Sequence, residues 1–331
     1  MIKLKYIFLF IILSNYYQTV FSQLGGYPGA FMNNKQSAEE NGLCGITPLH
    51  SNSSQVIFSN SSLLSNSNSN NLSISFSSIN ISNGLPNSNQ FNGTFSKELL
   101  DGTNVGIGVR SYGIITKMTN DRGVVLGEIN PTDLDIAFAG SLKIANASLG
   151  GTIHYVTRNS IKSNTNFTGY SADLSGNLNF NGRLLFGVNL KNIASEFQNN
   201  ISKRVEFFPL NLNLTAGYYL ISNDYLVHMK NNASGISEIK YIKPSNYLYA
   251  TIQGEFFNSL PEQRFANFVT AGLEYTPPIN FPLTLRCGLN SNSIFSGGFS
   301  FKYQPEFVNE INLDCAVKSD GTLYLTMGLI L

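Results

Sequence analysis

No tryptophan occurs in the 331 residues, and cysteine and histidine occur three times each. Charge is also scarce: 21 basic residues stand against 20 acidic ones, a formal net charge of +1. That balance gives no basic footprint for a nucleic-acid partner. Cys44, Cys287 and Cys315 and the histidines His50, His154 and His228 share no metal-ligand spacing, so neither metal nor cofactor is expected. Cys287 and Cys315 fall on the apolar parity of strands two apart, about 9–10 Å by strand spacing, which is beyond disulfide reach. No glycine-rich loop opens a helix to cradle phosphate. His154 has no nucleophile beside it in sequence and reads as a hydrated histidine on the polar face of a strand. Asp121, Asp133 and Asp135 lack the order of an EF-hand and read as solvated loop acids. The chain is therefore read as non-enzymatic. Beyond residue 22 no apolar run approaches the roughly 20 residues of a spanning helix.

The first 22 residues have the marks of a signal peptide. Lys3 and Lys5 form a basic start, Tyr6 to Leu13 is a short apolar run, and Val20-Phe21-Ser22 offers a cleavage site before Gln23. Residues 23–70 differ from the rest of the chain. They are rich in Ser and Asn, carry an apolar island at Val56-Ile57-Phe58, and read as a periplasmic plug segment, with 65–71 as flexible loop. Ten Asn-x-Ser/Thr sequons, Asn92 and Asn213 among them, are read as chance products of this composition, since several fall inside strands.

From residue 71 to 331 the period is two. Leu72, Ile74 and Phe76 alternate with serines, and Val105, Ile107 and Val109 alternate with Gly106, Gly108 and Arg110. Leu210 to Leu220 alternates without a break. Leu283, Leu285, Cys287 and Leu289, then Phe295, Phe299, Phe301 and Tyr303, form an apolar parity on either side of a short Asn/Ser turn, which is a hairpin. Side chains alternate faces along a strand, so each segment has one apolar and one polar face. Fourteen such segments occur, and Tyr225 to His228 reads as loop. The polar parity carries charge: Arg110, Glu255, Glu274, Arg286, Lys302, Asp314 and Lys318. Unpaired, these would be very costly inside a soluble sandwich core. A membrane barrel turns the apolar parity to lipid and the charges to a lumen, where Arg286 and Lys302 pair with Glu274 and Asp314 on flanking strands. The reading is an all-β, transmembrane antiparallel β-barrel of about 14 strands with an N-terminal plug. Its long connections, 116–133, 158–169, 194–208 and 222–245, read as extracellular loops.

Several short motifs carry a resemblance. Asn60-Ser61-Ser62-Leu63-Leu64 is similar to an Asn-Pro-Ala-Leu-Leu plug motif, with Asn60, Leu63 and Leu64 as its matching positions. Ala172-Asp173-Leu174, Leu190-Lys191-Asn192-Ile193, Gly272-Leu273-Glu274-Tyr275 and Leu285-Arg286-Cys287-Gly288-Leu289-Asn290 match strand motifs of the same group. On these the chain resembles the PorQ/PorV group of outer-membrane barrels, relatives of the FadL hydrophobic-compound transporters. The resemblance implies a scaffold of a type IX secretion system in the bacterial outer membrane. It implies contact with outer-membrane lipid, and a soluble cell-surface or secretion-system protein docked on the outer loops, anchored or handed over there. The alternative is a FadL-like channel for small hydrophobic solutes.

Overall fold

The computed structural model describes Met32, residues 34–35 and residues 37–331, except positions 68, 80–86, 120–124, 130–131, 161–164, 204, 223–226, 232–236, 242–245, 260–263, 280 and 306–307. The expected leader and its cleavage site lie outside the described residues, as does Asp121.

Fourteen strands form the wall. They are β1 (Asn71–Ile79), β2 (Asn87–Leu100), β3 (Thr103–Thr119), β4 (Thr132–Ile144), β5 (Ala147–Ser160), β6 (Thr165–Phe180) and β7 (Leu184–Asn199), then β8 (Leu210–Ser222), β9 (Tyr247–Ser259), β10 (Arg264–Thr276), β11 (Leu283–Asn290), β12 (Phe295–Tyr303), β13 (Glu310–Lys318) and β14 (Thr322–Ile330). Each pairs antiparallel with its neighbours in chain order, and β1 closes on β14 with Asn71 opposite Ile330. Closure leaves the wall no open edge, which is what lets a sheet satisfy its backbone groups in lipid. No helix among the described residues is long and apolar enough to cross a membrane.

The period of two sets the two faces. Ile74, Phe76, Leu149, Ile153, Leu214, Leu273, Leu285, Phe299 and Leu325 stand exposed all around the outside. Their polar neighbours Ser75, Ser148, Thr152, Thr215, Glu274, Arg286, Ser300 and Thr326 are buried inside. An apolar belt of this extent on a soluble monomer would be far larger than the usual surface patch, so the belt faces hydrocarbon and the chain is a transmembrane β-barrel. One consequence is an expected loss on Leu285→Arg, which puts a cation on the lipid face. At bilayer mid-depth it should cost about 2–4 kcal/mol, measured by urea unfolding of the barrel in lipid vesicles. A loss near zero would reverse the assignment of faces.

The up-and-down order also places the connections. Those that come after even-numbered strands leave from the rim that holds Asn71 and Ile330. The connection between Ser222 and Tyr247 comes after β8, so it stands at that terminal rim, opposite the rim of the other three long connections. This corrects the expectation that all four share one side. Within it, Val227–Asn231 pairs with Ser237–Tyr241 as a two-stranded hairpin off the barrel, so Val227 and His228 are strand where loop was expected, and residues 225–226 of that expected loop lie outside the described residues. The other expected loops are partly strand. At the far rim β3 runs on to pair with Val125–Ile129, and β7 runs on to pair with Val205–Glu206.

Inside the wall runs the segment from Ser37 to Ser67. Its helix α1 (Ala38–Gly42) starts at Ser37, whose side chain accepts from the Glu40 amide. Cys44 and Gly45 then reverse the chain with φ of 59° and 98°, the left-handed region that Gly45 reaches without strain. Two 3₁₀ turns come next, Ser54–Phe58 and Ser61–Asn66. Such turns are short because their hydrogen-bond geometry is poor, and here side chains on the wall supply further partners. Of the stretch expected as loop from 65 to 71, residues 65–66 end the second turn and Asn71 opens β1, while 67, 69 and 70 are irregular as expected.

Candidate functional site in the barrel lumen

The lumen is polar by parity, and the inner segment fills much of it. Two inward glycines let the wall come close. A Cβ on Gly150 would collide with the backbone of Ser61 and Ser62, and one on Gly187 would collide with the Leu49 side chain. Contact on this scale leaves bare carbonyls and amides of the inner segment facing wall side chains, which meet them. Ser175 Oγ accepts from the Ser62 amide at 2.9 Å, and Gln55 Nε2 donates to Ser75 Oγ at 3.0 Å. Asn104 Nδ2 donates to the Ser67 carbonyl at 2.8 Å.

One ionic cluster gathers on β10 to β13. Glu274 and Arg286 face each other across the β10–β11 ladder, and the Arg286 Nε lies 2.6 Å from Glu274 Oε2. The guanidinium also reaches past Gly298 on β12 to Asp314 Oδ1 on β13 at 3.1 Å. Its Nη2 lies 3.5 Å from Glu39 Oε1 of α1. His50 of the inner segment sits 2.8 Å from Glu274 and packs its ring among Tyr219, Tyr247 and Tyr249. Tyr247 donates to Glu274, and Ser300 bonds both Arg286 and Asp314. Glu274, Arg286, Ser300 and Asp314 are all buried, so the cluster holds wall and inner segment together.

A second cluster lies on β3 to β7. Arg110 donates through Nε to Asp135 Oδ2 at 2.7 Å and through Nη1 to the Met32 carbonyl at 3.1 Å. Its guanidinium covers the Phe58 ring, 4.6 Å from the centroid. His154 lies between Asp135 at 3.1 Å and Asp173 at 3.3 Å. Lys191 Nζ donates to the Phe58 carbonyl at 2.7 Å, Thr152 Oγ1 to the Ile57 carbonyl at 3.3 Å, and Asn189 to the Ser59 carbonyl. The wall thus grips three successive carbonyls at the end of the first 3₁₀ turn. Just beyond Lys191 the β7–β8 ladder ends, and Asn192 turns to φ 60°. Side-chain bonds replace the ladder there: the Asn192 amide donates to Asp173 Oδ1, and its Nδ2 to the Pro209 carbonyl, both at 2.8 Å.

Toward the far rim the lumen lining becomes apolar. Phe167 and Phe197 stack at 5.2 Å with 10° between their planes, and Phe208 lies 5.2 Å from Phe197. Met32 and Val156 are buried in the same cluster, with Tyr112 packed against it. Offset aromatic stacking of this kind adds to simple burial.

Of the expected site residues, Arg110, Glu274, Arg286 and Asp314 are buried in the two clusters. Lys302 pairs with Glu310 at 2.7 Å and not with Asp314, because its register partner on β13 is Asn312. Glu255 is half-buried and accepts from Asn211 at 2.8 Å. Lys318 lies over the Tyr324 ring. Asn60 precedes the second 3₁₀ turn and accepts from Ser62 Oγ at 2.6 Å, while Leu63 and Leu64 pack with Val56, Ile57 and Phe58. Two further expectations need correcting. His154 is fully buried, not hydrated, because the inner segment occupies the space water would take. Asp133 and Asp135 are not solvated loop acids but buried members of β4, with Asp133 bidentate to Arg158 at 2.5 and 2.8 Å. The partnership of Asp135, His154, Asp173 and Lys191 escapes the sequence reading. Its only signal is that all four fall on the polar parity of neighbouring strands.

No family model matches the chain, and no curated protein does. Solved structures do share its fold. The Pseudomonas putida toluene transporter TodX superposes with a TM-score of 0.60 at 11% identity, over 90% of this chain and 99% of its own. The Ralstonia pickettii toluene transporter TbuX gives 0.56 at 10% identity, over 90% and 98%. The monoaromatic hydrocarbon channel CymD gives 0.54 at 10% identity, over 89% and 96%.

Proposed function

We propose that the chain is an outer-membrane passage for small hydrophobic solutes, entered at the rim opposite the termini. The observation that carries this reading is the aromatic cluster of Phe167, Phe197 and Phe208 toward the far rim of the lumen. An aromatic lining with a few polar groups beside it suits such a solute; Tyr112 packs against this cluster, and Arg110 donates to the carbonyl of Met32 within it. The fold shared with toluene transporters and a monoaromatic hydrocarbon channel supports the same reading. On this view residues 1–22 are the export leader and the terminal rim faces the periplasm.

The test is uptake of labelled toluene into vesicles carrying the purified barrel. Uptake should rise severalfold over protein-free vesicles and fall back most of the way in Phe197→Ala/Phe208→Ala. Uptake equal to the protein-free control would overturn the reading. The scaffold reading keeps one specific support, the run of strand motifs from Ala172 to Asn290 that resembles the PorQ/PorV group. It anticipates that deleting the protein removes secreted cargo from the cell surface and that a soluble partner co-purifies with the barrel. Unchanged secretion and no partner would remove it.

A further inference from the structure

The outside of this barrel is not convex all the way round. Across β5 to β10 a groove of about 720 Å³ opens on the lipid side, a size typical of ligand pockets. Its floor is formed where outward positions are small: Gly176 on β6, Ala216 on β8 and Gly254 on β9. Leu149, Leu178, Leu214 and Ile252 stand along it, each more than a third exposed. The inner face explains part of the shape. Gly150 and Gly187, on strands beneath the groove, lie directly on the inner segment. Small residues on both faces thin the wall in this sector.

We propose that this groove holds an acyl chain of a membrane lipid as a bound, slowly exchanging ligand. The side chains that line it on the outside are hydrocarbon, so a polar headgroup or a solvated peptide finds no partner in it. The backbone of β5 to β10 is already paired on both sides of each strand along the groove, so no added strand can bond to the wall there. The groove is continuous with the apolar belt that meets the bilayer, and the belt's ambient occupant is lipid. A chain seated there would make van der Waals contact on three sides, where the rest of the belt offers one, and many small contacts sum to a large term.

The absence of tryptophan makes the test clean. Leu214→Trp places a reporter at the groove, and Leu285→Trp places one on the lipid face of β11, outside it. The barrels are put into detergent-free vesicles containing a small, known fraction of phosphatidylcholine brominated on its acyl chains. The Leu214→Trp reporter should lose clearly more fluorescence than the Leu285→Trp reporter, and Ala216→Phe, which fills the floor, should abolish the excess. Native mass spectrometry should find a retained lipid on the wild-type barrel and on Leu285→Phe, but not on Ala216→Phe. Equal quenching at the two positions, or lipid retention unchanged by Ala216→Phe, would overturn the proposal. So would a dimer that dissociates on Ala216→Phe, since a second copy would then be the occupant.

Discussion

Arg286→Met should destabilise the folded barrel by about 3–5 kcal/mol, the cost of removing one partner from a buried ion cluster. The loss comes from the charges left behind. Arg286 is the cation shared by Glu274 at 2.6 Å, Asp314 at 3.1 Å and Glu39 at 3.5 Å, and Glu274 is fully buried. Without the guanidinium, the two wall carboxylates lie close together in a place that water does not reach. They must either repel or take up protons, and both outcomes cost folding free energy. Lys302→Met is the internal comparison. Its pair with Glu310 spans 2.7 Å but has a third of the lysine side chain in water, so its loss should cost at most about 1 kcal/mol. Urea unfolding of each variant in lipid vesicles, tracked by the shift of the heat-modifiable band, measures both. A loss for Arg286→Met no larger than that for Lys302→Met would show that the cluster does not hold the barrel.

That contrast also marks where the sequence can be read. The fourteen strands are legible because period two recurs in each of them, and one-residue slips would turn leucine and phenylalanine into the lumen. The pairing of Arg286 with Glu274 is legible too, since a short connection at 277–282 fixes the register of β10 on β11. Lys302 resists for the converse reason: opposing it to Asn312 and pairing it with Glu310 depends on a register that alternation alone leaves free by two residues. The Asp135–His154–Asp173 arrangement spans three strands and depends on the same missing information. The inner segment has no long period, because its 3₁₀ turns are only five and six residues long and are held by wall side chains from β1, β2, β3, β5, β6 and β7. An open, wet lumen is the natural expectation from polar parity alone, which is why a buried histidine reads as hydrated. Length alone misplaces the loop at 222–245, whereas counting strands to β8 puts it at the terminal rim.

Gly150→Ala and Gly151→Ala should move stability in opposite directions, although the positions are adjacent. Both lie in β5, and successive side chains on a strand point to opposite faces. At Gly151 an added Cβ would meet Asp173 O at 3.7 Å and Leu174 Cδ2 at 3.8 Å, ordinary contacts on the lipid side. The main effect there is a less flexible unfolded chain, a gain of about 0.4–1 kcal/mol. At Gly150 the same atom would fall 2.6 Å from the Ser61 carbonyl carbon and 2.7 Å from Ser62 Cα. These are backbone atoms inside a 3₁₀ turn whose amide is bonded to Ser175 Oγ at 2.9 Å, so no rotamer change relieves the clash. Overpacking of this kind costs about 1–3 kcal/mol or more, and the relief available is to push the inner segment off the wall. Gly150→Ala should therefore lose stability and gain ion conductance in planar bilayers, as the lumen opens beside Ser61 and Ser62. Gly151→Ala should conduct as the wild type does. If Gly150→Ala matched Gly151→Ala in both readouts, the inner segment would not be seated on β5, and the lumen would have to be filled some other way.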